Sequence, residues 1–142
     1  FTNGGAMKLV QIWNARDAFN KLCSLKKPPQ LAYRILKYVR TFEAELATCE
    51  AQREKCVYEA AGVAHGTPGV NLLPDTFEFD AFIVQFNLFL ANESDLEPSG
   101  ISMETLVEAL GDGAGNTISE NDIALLEPFF VEKQPVNIKL VN

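Results

Sequence analysis

Between Cys56 and Glu132 the chain contains no lysine and no arginine, a gap covering more than half of its 142 residues. Nucleic-acid affinity rests on cations that neutralise phosphates, and the acidic remainder would repel a duplex held by the basic residues 21–40, so direct nucleic-acid binding is not expected. Also missing is any apolar run near the ~18–20 residues that a membrane helix needs, and any charged-then-apolar leader. A soluble, cytoplasmic protein with no membrane partner is expected. There is one histidine, His65, and three cysteines, Cys23, Cys49 and Cys56. A single imidazole forms no recognisable triad, and the cysteines have no metal-ligand spacing. Cys49 and Cys56 are seven apart on an expected helix, ~10 Å along its axis, too far for a disulfide. Three buried, reduced thiols fit this spacing, and no cofactor or metal is expected.

What is present is acid. Fourteen Asp and Glu fall in the segment from Cys56 through Glu132, while residues 1–40 hold eight of the 12 basic residues and one acid. The first part therefore carries +7 and residues 41–142 carry −14, for a total of −7. Segregated charge of this kind governs partner choice and encounter rate more than fold. With 47% hydrophobic residues and 10 Phe, the chain can bury one core. Residues 1–6 read as an appended linker. Residues 7–142 then form a single domain, with a basic helical part over 7–62 and an acidic lobe over 75–132.

Residues 8–13 alternate and carry β-branched and aromatic side chains, which predicts a strand ending at Asn14. Asn14 would cap a helix over 15–25 that Lys26-Lys27-Pro28-Pro29 breaks. Pro29 suits the first turn of a long helix and Gly62 its end, a length on the order of 50 Å. Along it Leu31, Ile35, Val39, Phe42, Leu46 and Cys49 recur in steps of four and three, the seam of a helix pair. A short first helix cannot cover that length. The seam therefore predicts packing on the acidic lobe or on a second subunit, making these six residues a candidate self-association surface.

Residues 62–74 hold three Gly and two Pro and read as a loop, with a short strand at 70–73. Asp75 and Glu78 have capping-box spacing for a helix over 76–91 carrying Phe79, Phe82, Ile83, Phe86, Phe89 and Leu90. Val84 and Leu88 lie off that stripe, so a second subunit could cover part of this helix. Asp95-Leu96-Glu97 is extended, Ser102 caps a helix over 103–110 closed by Gly111, and Ser119 caps one over 120–131 that Pro128 bends or ends. Residues 136–140 alternate as an edge strand would. The expected fold is mainly α with a small peripheral β element, a long central amphipathic helix being packed by shorter ones.

Chemical motifs fail on detail. The segment from Asp112 resembles a calcium loop, but its sixth position is Thr117 and its twelfth Ile123, where glycine and a bidentate glutamate are required. Neither glycine-rich stretch, 66–69 or 111–115, opens a helix with a phosphate-binding lysine. Carboxylate pairs are too numerous for any one to mark a catalyst, and no enzyme is expected. Lys26 and Lys27 stand at a helix N-terminus, where the macrodipole disfavours them; the acidic lobe folding back would compensate, as would a bound phosphate backbone or an acidic partner.

In its order of segments the chain resembles a loose group of small phage and prophage proteins of unknown function. The shared pattern is Met7–Asn14, the long charged helix with Glu50-Ala-Gln-Arg53-Glu-Lys55, Phe79–Asn92, Asp95–Glu97, and Ile118–Phe130 with Leu126-Glu127-Pro128-Phe129. It spans most of the chain after Met7. The resemblance implies a viral origin and transfers no site residue. The expected function is non-enzymatic: docking of the acidic lobe on a basic host protein surface, as an inhibitor or nucleic-acid mimic. Candidate contact residues are Asp75, Glu78, Asp80, Glu93, Asp95, Glu97, Glu104 and Glu108. The alternative is a phage structural or assembly protein that self-associates, for instance as a homodimer.

Overall fold

The computed structural model describes residues 7–111 and 118–131. The expected edge strand at 136–140, the glycine-rich turn at 112–117 and the linker 1–6 lie outside the described residues. The order is β1 (Met7–Lys8), α1 (Leu9–Asn14), α2 (Arg16–Ser24), α3 (Pro29–Ala61), α4 (Phe77–Leu90), β2 (Glu93–Ser94), α5 (Met103–Leu110), α6 (Glu120–Leu126) and a 3-10 turn (Glu127–Phe129). The architecture is mainly α, with a two-stranded antiparallel ribbon pairing Met7 with Ser94 and Lys8 with Glu93.

Residues 9–14 are helical, which corrects the expected strand over 8–13. Leu9 and Ile12 are buried and Trp13 is half-buried, a three-and-four spacing that a six-residue segment carries alongside its alternation. The local bonding favours the helix: the Lys8 N–H donates to Gln11 Oε1 at 2.8 Å, and the Leu9 N–H to the Asn92 carbonyl at 2.9 Å. Ala15, not Asn14, stands at the junction with α2. The ribbon is accordingly only two residues long, and its second strand lies at 93–94 rather than 95–97.

The long helix has both expected limits, Pro29 in its first turn and Gly62 closing it at φ 72°. Only that left-handed backbone lets the Val63 N–H donate to the Tyr58 carbonyl at 3.2 Å, and glycine adopts it without steric cost. The seam of α3 is covered from within the chain. Phe42 packs on Phe19 of α2 at 4.1 Å between ring centroids and on Phe129 at 5.5 Å. The second half of α3 packs on α4. One continuous cluster of buried side chains runs from Met7 to Phe130, so the basic and acidic parts share a core.

One further cap position differs from expectation. Asp75 adopts φ 66° and Thr76 caps α4, its Oγ1 accepting from the Phe79 N–H at 3.1 Å and donating to the Leu73 carbonyl at 2.7 Å. Ser102 and Ser119 cap α5 and α6 as expected. The last helix ends at Leu126, and Pro128 sits in the 3-10 turn that follows. Residues 70–73 form no strand.

Candidate docking surface

All eight candidate carboxylates, Asp75, Glu78, Asp80, Glu93, Asp95, Glu97, Glu104 and Glu108, are on exposed residues. None of them forms an ion pair among the described residues. They fall into separate groups. Asp75, Glu78 and Asp80 stand at the N-terminal end of α4, where the helix dipole favours negative charge. Glu93, Asp95 and Glu97 follow its C-terminal end, ~20 Å away along a helix of 14 residues. Glu104 and Glu108 share one face of α5 by their spacing of four.

Lys21 Nζ pairs with Asp122 Oδ2 at 3.0 Å, joining the basic and acidic parts. The Lys21 hydrogen bond, helped by Ser119, holds the Asp122 carboxyl below its ordinary pKa. Among the described residues Lys27 meets backbone carbonyls and no folded-back acid, contrary to expectation. Its ammonium donates to the Leu22 carbonyl at 2.8 Å and to the Leu25 carbonyl, at the C-terminal end of α2. Carbonyls there carry the negative end of that helix dipole.

The proposed self-association seam needs correcting. Leu31, Ile35, Val39, Phe42 and Cys49 are all buried within the chain and Leu46 is half-buried against the same core. Side chains already enclosed have no area left to give a second subunit. Burial, with Glu45 and Glu50 nearby, also pushes the Cys49 thiol up to about 11. Cys56 is buried as expected, whereas Cys23 is exposed.

An open apolar face lies instead on α4. Phe82, Phe86 and Leu90 point into the core, Phe86 meeting Trp13 edge-on at 5.1 Å. On the opposite side Phe77 is 83% exposed, Val84 55% and Leu88 63%, with half-buried Ala81 between them. At 100° per residue, positions 77, 81, 84 and 88 form one stripe, bordered by Glu78 and Gln85 on one side and by Asp80 and Asn87 on the other. The signal in the sequence was partial: Val84 and Leu88 lie off the core stripe, but Phe77 joins them only because the helix begins after Thr76.

A cavity of about 460 Å³ lies between the ends of α1 and α2, the second half of α3 and the loop at Val70. Arg16 stacks on Trp13 with its guanidinium carbon 3.9 Å from a ring centroid, and Arg53 lies 5.5 Å from that of Phe82. Glu50 and Glu54 share the wall with both arginines, so the lining favours neither sign of ligand charge. His65 is exposed, with Nε2 3.4 Å from Glu54 Oε1 and its ring 4.9 Å from Tyr58. Among the described residues no group of three or more His, Cys, Asp or Glu is placed to hold a metal ion, and no helix is long and apolar enough to cross a membrane. Comparison with protein-family models, with curated proteins and with solved structures found no match to this chain.

Proposed function

We propose that this is a non-enzymatic protein-binding protein of phage origin, acting in the bacterial cytoplasm by presenting carboxylates to a basic, nucleic-acid-binding surface of a host protein. The observation that carries the reading is the set of eight exposed carboxylates without a cation partner among the described residues. Side chains held on helices and on the ribbon lose little further freedom on docking, and an anionic array competes for the groove that phosphates would occupy. Long-range attraction between −14 and a basic groove speeds encounter and weakens as salt rises.

The test is capture of bacterial-lysate proteins on the immobilised native chain and on a Glu93→Gln, Asp95→Asn, Glu97→Gln variant, at low and moderate salt, with mass-spectrometric quantification. A basic protein held in stoichiometric yield by the native chain, released by salt and lost on the variant, supports the reading. The same proteins on both surfaces would sink it. A second reading, self-association, is favoured by the open α4 stripe and leads to a specific geometry.

A further inference from the structure

We propose that the outer face of α4 is the two-fold interface of a homodimer, in which two copies of α4 pack antiparallel. This goes beyond docking on a basic partner and stands on different residues. A helix with apolar stripes on two opposite faces is normally enclosed on both, and α4 is enclosed on one side only. Its inner stripe packs on α1 and α3, while Phe77, Val84 and Leu88 present their side chains to solvent.

The spacing of the stripe selects a helix as its cover. Positions 77, 81, 84 and 88 follow steps of four, three and four, the alternation by which one helix seats its knobs in another. The small Ala81, near the middle, allows the two axes to approach closely. Charge then selects a second copy of this chain in one direction. In an antiparallel pair Phe77 lies opposite Leu88 of the second copy, and Ala81 opposite Val84. The flanking positions pair like with like, so Glu78 lies beside Gln85 of the second copy and Asp80 beside Asn87. Each flanking carboxylate therefore meets an amide that can donate to it. A parallel pair would gather Asp75, Glu78 and Asp80 of both copies at one end and add like-charge repulsion. A two-fold axis generates this self-complementary contact and closes the assembly at two chains.

The stripe is apolar and the two chains each carry −7. Salt screens their mutual repulsion, so the dimer holds or tightens as salt rises, opposite in sign to docking on a basic partner. The two readings therefore fail separately.

The experiment is sedimentation equilibrium of the full chain at low and high salt, beside Leu88→Lys and Val84→Glu. The expected result is twice the 15.7 kDa chain mass for the native protein. Each variant should weaken association by at least about 30-fold, the effect of losing a central anchor. Circular dichroism should stay native, since both side chains are mostly exposed. Direction is read by disulfide trapping on a Cys23→Ser background: mixed Phe77→Cys and Leu88→Cys chains should cross-link to each other faster than either does to itself. A monomeric native chain at ~100 μM, well above typical dimer constants, would overturn the proposal and leave the stripe to the chain's own C-terminal segment or to another protein. So would a dimer indifferent to Leu88→Lys, or preferential Phe77→Cys self-linkage.

Discussion

The two apolar helices of this protein end differently. Along α3 a stripe of alternating steps is closed off by the chain itself, leaving Ile35 and Phe42 1% exposed and Cys49 fully enclosed. α4 has a similar stripe on its inner side and a second one facing outward, where Phe77 remains 83% exposed. Periodicity states that a helix face is fit for burial. What buries it depends on where the rest of the chain is placed.

The sharpest way to break the comparison is to truncate one phenylalanine from each helix. Phe42→Ala removes a side chain packed between Phe19 and Phe129 and should cost ~3–5 kcal/mol in urea unfolding, through lost transfer energy and the cavity left behind. Phe77→Ala, measured on the monomer, should change stability by no more than ~0.5 kcal/mol. Equal losses would refute the contrast.

Thiol reactivity compares the enclosed stripe with the surface. With its pKa pushed up to about 11 from 9.0, Cys49 should hold ~100-fold less thiolate near pH 8 than an ordinary thiol, each pKa unit being a factor of ten. Cys23 is exposed, so alkylation followed by mass mapping should mark it first, and Cys49 only once the chain unfolds. Native labelling of Cys49 at the Cys23 rate would mean that the α3 stripe opens readily.

A cap substitution tests how α4 is placed. Thr76→Ala deletes the acceptor for the Phe79 N–H and should lower stability by ~1 kcal/mol, whereas Asp75→Gly keeps the left-handed turn and removes no cap. The reverse ranking in thermal melts would restore the capping role to Asp75.

The smallest effect is acidic. Asp122 titrates below its ordinary 3.8 because the folded protein stabilises the carboxylate. Its contribution is complete above the unfolded pKa and is lost as pH falls through the lowered folded value. Asp122→Asn should therefore flatten the stability-versus-pH curve slightly in that acid window and leave its shape unchanged near neutrality. A difference confined to neutral pH would assign Lys21 another partner.

Much of the fold was legible because its boundaries are chemical. Pro29 and Gly62 delimit α3, Ser102 and Gly111 delimit α5, and Ser119 opens α6, each through a backbone group that only a few residue types satisfy. α1 was misread because six residues satisfy two periods at once. The α4 cap was misplaced by one residue because Asp75 and Thr76 are both competent acceptors, and the left-handed turn at Asp75 delivers the second. Of the candidate surface, the exposure of the acids followed from their chemistry. Their division into groups did not, since it depends on α4 standing between residues 80 and 93.

The sequence by itself determined the helical class, the separation of charge, and the presence of more apolar helix surface than one core requires. Those are local properties, set by side-chain type and spacing. Tertiary structure alone decided that the α3 seam is enclosed by Phe19, Phe129 and α4, while the outer face of α4 is left open. Burial depends on which distant segments arrive at a face, and neither periodicity nor composition carries that information.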